Sequence, residues 1–259
     1  MLLGWLRNEL DFRLRMALRL RRPGARLPAE DKEGLFEPDL QEEVRRLVQT
    51  YGLQRWERES GRIDFAASLF YLQMIERALV EADVRLPPIV TVLDAGCGDW
   101  FYVQALYGLL HRFGGERPVL LHGVEVDAYR PYAGLRSRMD WAEVYMGGLP
   151  GVAYLPGDIR QFSQPVQFAC LLFPFLFSAD VRRWGLPKRY LQPAELLAHL
   201  FGLVAPGGTL VIANLGEAER DEQQRLLAVA GLTPAWQGQH ESRLFAYRQA
   251  RYVTVVRKA

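Results

Sequence analysis

The stretch Val92–Val103, VLDAGCGDWFYV, decides the fold. Val92 and Leu93 run into an acid, Asp94. Gly96 and Gly98 follow, then three aromatic residues, Trp100, Phe101 and Tyr102. An apolar run that ends in an acid and breaks at spaced glycines reads as a strand, a tight turn and the start of a helix. Glycine permits the turn and lets a ligand approach the main chain. The helix that follows directs its amino end at the same place. In open parallel sheets ligands lie beyond the carboxyl ends of the strands, so this turn marks a candidate site.

Downstream, IVTVLDAG, VLLHGVEVD, VAYLPGD, QFACLLFPF and TLVIANL are short apolar runs, several continuous rather than alternating. That is the pattern of strands covered on both faces. Helical stretches are expected between them at Tyr102–His111, Pro131–Met146, Pro193–Val204 and Glu217–Ala230. Strand alternating with helix predicts a doubly wound α/β domain over residues 89–259. Its sheet is seven-stranded and mostly parallel, and the tail from Thr233 offers two strands without a helix, an antiparallel hairpin closing the edge.

Residues 1–88 read as a helical extension. Leu3, Leu6, Leu10, Leu14 and Leu18 recur at helical spacing among arginines, a basic amphipathic helix. A second helix is expected from Asp39, as cap, through Leu40, Val44, Leu47, Val48 and Tyr51 to Gly52. A third runs from Asp64 to Ala82. These helices are a candidate lid, with Tyr51, Trp56 or Tyr71 reaching the site.

The 259 residues are 49% hydrophobic and 24% charged, with a net charge of +2. Seven arginines against Glu9 and Asp11 give residues 1–26 a local +5, leaving the remainder slightly acidic. That balance argues against a broad nucleic-acid-binding face on the main domain. Contact of the basic first helix with nucleic acid or an anionic membrane is the less favoured reading beside a helix docked on the domain. Cys97 and Cys170 are too few for a disulfide framework or metal cluster and are expected as buried thiols. No apolar stretch has the length of a membrane span, so a cytoplasmic location is expected. No metal site is expected.

The ends of the apolar runs carry the candidate chemistry. Glu125, near the end of the second, can accept hydrogen bonds from the hydroxyls of a ribose. Asp158, after the third, can accept from an adenine amino group while Ile159 lies against the base. Together they favour an adenosine ligand. A dinucleotide loop needs a third glycine, G-x-G-x-x-G, at position 101, and the chain has Phe101. In order, Val92–Gly98, Gly123–Asp127, Gly157–Ile159 and LVAPGGTLVIA (Leu203–Ala213) resemble the motifs of class I S-adenosylmethionine-dependent methyltransferases. The resemblance covers Ile89 to Ala259.

That resemblance implies S-adenosylmethionine as cofactor and methyl transfer to an acceptor, a small molecule being favoured. It implies that Asp94, Gly96 and Gly98 hold the methionine end, Glu125 the ribose, and Asp158 and Ile159 the adenine. Trp100 departs from the family, standing where glycine or another small residue is frequent. Its indole is expected either to wall the methionine arm or to fill its place. Asp127 is expected to cap a helix. In FPFLFSADVRRWGLP, where the family meets its acceptor, Phe173, Phe175, Phe177 and Trp184 are substrate candidates. This segment lacks the Asn/Asp-Pro-Pro-aromatic signature of enzymes acting on planar nitrogen. Asn214 and Glu217 are candidate polar contacts or a base, with a helix cap the competing role for Glu217. Singly, the glycines read equally as a structural turn and the acids as surface acids. A non-catalytic relative that binds the cofactor or serves as a scaffold is the alternative function.

Overall fold

The computed structural model describes residues 2–259. Four helices precede the sheet: α1 (Leu2–Leu18), α2 (Gln41–Tyr51), α3 (Gln54–Glu59) and α4 (Arg62–Glu81). Strand and helix then alternate through β1 (Val90–Ala95), α5 (Val103–Arg112), β2 (Val119–Glu125), α6 (Arg138–Met146), β3 (Val152–Pro156) and β4 (Val166–Leu172). After α7 (Ser178–Arg183) and α8 (Pro193–Leu203) come β5 (Val204–Leu215), α9 (Gly216–Val229), β6 (Trp236–His240) and β7 (Arg251–Arg257). The sheet order is β3-β2-β1-β4-β5-β7-β6, with β7 antiparallel to both its neighbours. The chain therefore leaves β1 for one side of the sheet and returns to the other at β4. This reversal is the topological switch point at which α/β sheets open a crevice.

Helices on both faces explain the continuous burial of β1, β4 and β5. On one face Val92, Leu121, Phe168, Val211 and Val255 share a core with α4 and α5 residues such as Leu72, Leu79 and Leu106. On the other, Leu93, Ala169, Leu210 and Ile212 pack with Leu197 and Leu200 of α8 and Leu226 and Leu227 of α9. The outermost strand β6, WQGQH, alternates in burial as an edge should. Cys97 and Cys170 are free, buried thiols whose pKa burial raises well above the ordinary value.

Local departures from the sequence reading have identifiable causes. The helix expected from Pro131 begins only at Arg138, where Ser137 and Asp140 form a reciprocal capping box. Before it, Pro131 bridges to Ser137. Asp39 does not cap α2, since its carboxylate pairs with Arg243, 204 residues away. The expected apolar stripe of α1 faces outward: Leu3 is 83% exposed, and Leu6, Leu10, Leu14 and Leu18 are exposed with it. The opposite side docks instead, with Phe12 buried against Val181 and Leu186 and flanked by Trp5 and Met16. Two aromatic rings and a thioether bring large apolar area to that surface, and Arg15 adds an ion pair to buried Asp127.

Candidate functional site

The turn after β1 is held from beneath by side chains and left bare above. Gly96 and Gly98 have φ of +74° and +65°, and a Cβ built on either would meet no atom within 4 Å. Backbone conformation, not crowding, therefore demands glycine here, and open space lies against the main chain. The Gly98 N–H donates to Glu125 Oε2 at 2.9 Å, tying the turn to the end of β2. The Tyr154 hydroxyl donates to the Gly98 carbonyl at 2.7 Å, tying it to β3.

Asp94 is fully buried. The Trp100 Nε1–H and the Tyr102 hydroxyl both donate to its Oδ2, at 2.7 and 2.8 Å, while Oδ1 has no partner. Burial raises its carboxyl to about 6, against the pull of those two hydrogen bonds. Its bonds serve the turn's own aromatics.

Trp100 turns its side chain into the core beside Asp94 and Gly123. Its indole is wholly buried in the core shared with α4 and α5, and a Cβ at Gly123 would lie 2.6 Å from it. Gly123 makes the room that the indole takes. Trp100 itself has φ of +63°, a left-handed conformation costing roughly 1–2 kcal/mol for a residue of this size. Burial of the ring and its bond to Asp94 offset that cost.

Glu125 is 4% exposed and already engaged. Besides Gly98, the Asp127 N–H and Arg138 Nη1 donate to its Oε1, each at 2.8 Å. Arg138 lies 5.1 Å from the Trp184 ring centroid. Asp158 accepts from the Arg160 backbone N–H and pairs with its guanidinium. Burial raises the Asp158 carboxyl, yet those bonds bring it below its ordinary value. Ile159 begins the short turn behind it and packs on the α8 side of the core. Asp127 caps nothing: it is buried and held by Arg15 at 3.0 Å through both oxygens, with Arg130 at 3.5 Å.

The four aromatics after β4 do not converge. Phe175 packs with α1 and stands 5.8 Å from Trp184, itself 42% exposed, while Phe177 joins the α8 side of the core. Phe173, at φ of +60°, turns to the α4 face. There Tyr71 meets its edge at 5.8 Å and stacks on Tyr102 at 4.8 Å. Tyr71 thus joins the site turn. Tyr51 instead donates to Glu76, and Trp56 packs on Tyr145. Asn214 is buried with both amide atoms unpartnered. The amino end of α9 is closed by Glu219, which accepts from the Leu215 N–H at 2.7 Å, and not by Glu217.

Sequence reasoning missed Arg138, Arg160 and Arg251, the last buried beside Phe173. Arginine is so frequent in this chain that no local pattern sets these three apart; only Arg160, two residues beyond Asp158, carried a proximity signal.

No protein-family model matches the chain, and no curated protein matches it by sequence. Solved structures do match. A protein of Listeria monocytogenes described as a class I S-adenosylmethionine-dependent methyltransferase aligns with a TM-score of 0.54 at 16% identity, over 84% of this chain and 68% of its own. The geranyl diphosphate C-methyltransferase of Streptomyces coelicolor aligns with a TM-score of 0.50 at 13% identity, over 93% and 92%. A Clostridium acetobutylicum S-adenosylmethionine-dependent methyltransferase aligns with a TM-score of 0.50 at 9% identity, over 74% and 92%. In strand order, antiparallel last strand and helical layers, the chain has the fold of the class I S-adenosylmethionine-dependent methyltransferases.

Proposed function

We propose that the chain binds S-adenosylmethionine at the carboxyl edge of β1, β2 and β4 and directs its methyl group to a small-molecule acceptor. One observation carries this reading. The bond from Gly98 N–H to Glu125 joins two strand-end motifs 27 residues apart into one site, beneath open space against the Gly96 and Gly98 backbone. The residues fit the cofactor at the turn, where bare main chain can line a methionine arm. At the ribose position the fit requires an exchange. An ionised carboxylate has about four lone-pair directions, and Glu125 already accepts three donors. Ribose hydroxyls must replace Arg138 there, and an adenine amino group must share Asp158 with Arg160.

The bound cofactor would supply a methyl group on a positively charged sulfur. The protein's part is orientation and exclusion of water, which can provide much of the acceleration in such a transfer. Tyr71, Tyr102 and Phe173 supply π faces suited to a dispersing positive charge. Asp94, buried and bonded to the turn, positions the loop and does not act as a base on the acceptor. The helices of residues 1–88 act as cover: α4 contributes Tyr71, and α1 holds Asp127 through Arg15.

Titration calorimetry with S-adenosylhomocysteine tests the reading. Binding to a folded, monodisperse sample is expected, as is its loss in Glu125→Ala; absence of binding to the wild-type protein sinks the proposal. The arginines already paired with Glu125 and Asp158 favour one second reading, a non-catalytic relative of the fold. Binding of S-adenosylmethionine without its conversion to S-adenosylhomocysteine across a broad acceptor panel would select it.

A further inference from the structure

Beside Phe173 the fold buries a cation that it does not neutralise. Arg251 opens β7 opposite Leu215, the last residue of β5, and so stands at the same carboxyl edge as the glycine turn. The residue is 7% exposed. Its Nη1 donates to the Gln249 carbonyl at 2.7 Å, and its Nε is buried without a partner. Two rings flank the guanidinium, Tyr247 at 4.0 Å and Phe173 at 5.0 Å from their centroids. Among the described residues it forms no ion pair. The acid that faces it, Glu219, acts only at longer range and is engaged by the Leu215 N–H. Burial accordingly lowers the Arg251 pKa.

A guanidinium carries five N–H donors in a planar fork. Leaving the Nε–H of Arg251 buried without an acceptor is costly, and a planar anion can complete the fork. The stacked rings hold the fork in place without consuming its donors. Tyr71 extends the aromatic surface, 6.2 Å from Tyr247 and 5.8 Å from Phe173. A planar anion with an apolar or aromatic body matches this arrangement; a neutral amide oxygen can accept from the fork but brings neither a counter-charge nor a second equivalent acceptor.

We propose that Arg251 is the specificity residue of the acceptor site and that the acceptor is a carboxylate with an aromatic body, its carboxylate anchored on the Arg251 fork and its ring against Tyr71, Phe173 and Tyr247. The inference rests on the methyltransferase reading for the word acceptor, but the binding site stands on Arg251 and its rings alone.

Paired probes test it: benzoate against benzamide, and indole-3-acetate against indole-3-acetamide, titrated with and without S-adenosylhomocysteine. In at least one pair the carboxylate is expected to bind at least tenfold more tightly than its amide. Arg251→Gln should erase that preference without changing affinity for S-adenosylhomocysteine, and Arg251→Lys should keep part of it. Equal affinity within both pairs, binding by neither, or a preference that survives Arg251→Gln overturns the proposal. Arg251→Met in the ligand-free protein supplies a second readout. A guanidinium kept for a ligand can be replaced by an apolar side chain with no loss of melting temperature, whereas failure of this variant to fold assigns Arg251 to the fold and overturns the proposal. Should the carboxylate preference appear and depend on Arg251 while S-adenosylhomocysteine fails to bind, the site stands and the methyltransferase reading falls.

Discussion

Glu125 on β2 and Arg251 on β7 stand along the same carboxyl edge of the sheet, and each is buried, yet their electrostatic states are opposite. At the ends of β2 and β3 three acids each have an arginine: Arg138 on Glu125, Arg15 on Asp127, Arg160 on Asp158. Around Arg251 the cation meets two aromatic rings and a carbonyl, with no acid in contact. The β2 end is complete as folded, and a ligand there must take the place of a side chain. The β7 end is incomplete, and a ligand there would finish it. Two regions of one sheet edge thus differ in what binding would change.

Removing one arginine from each end probes that difference most strongly. Arg138→Gln leaves Glu125 buried without its guanidinium and is expected to cost about 3–5 kcal/mol. Arg251→Met is expected to be neutral or stabilising, by the same reasoning reversed. Urea unfolding of both variants reads the contrast, and equal losses would break it.

Trp100, whose indole lies between Asp94 and Gly123, comes next. Trp100→Gly removes a fully buried ring and a donor to Asp94, and is expected to cost about 3–5 kcal/mol less the roughly 1 kcal/mol relieved at a left-handed backbone position. A rise in affinity for S-adenosylhomocysteine would show that the ring fills the cofactor's place, and a fall that it walls the methionine arm.

Asp94 gives a pH-dependent test of the ground between the two ends. Its folded carboxyl is raised from 3.8 to about 6, with burial the leading cause. The folded state therefore keeps a proton that the unfolded chain releases. The group's favourable contribution is fully present below about pH 4 and is lost as pH rises through about 6. Asp94→Asn should match the wild-type stability near pH 4 and exceed it by about 3 kcal/mol at pH 7. A constant difference between the two proteins across that range would refute the raised value. The smallest effect is expected at Asp158. Its pair with Arg160 is partly exposed, so Asp158→Asn should alter stability by about 1 kcal/mol or less, while weakening an adenosine ligand more than the fold.

The strand ends were legible because their signals are local. An apolar run closing on Asp94, Glu125 or Asp158 marks a buried strand meeting the sheet's edge, and Gly96 and Gly98 mark a turn that only glycine makes easily. Phe173, Phe175 and Phe177 were legible as aromatics following a strand end, and were not separable from one another. Whether successive aromatics turn to one face of the sheet or the other depends on the path of the loop, not on their spacing.

The leucines of α1 teach the same lesson. Their period established a helix with an apolar face, but the side that docks was chosen by the shape of the surface receiving Phe12 and by the place of Asp127, 112 residues after Arg15 in the chain. By itself the sequence determined the alternation of strand and helix, the glycine turn and the acids at the strand ends, because each follows from contacts between near neighbours. Only the tertiary structure decided which arginine neutralises which acid, that the Trp100 indole enters the core through the gap at Gly123, and that Arg251 is buried without a counter-charge. Those outcomes depend on long-range packing, which brings together residues whose separation in the chain carries no pattern.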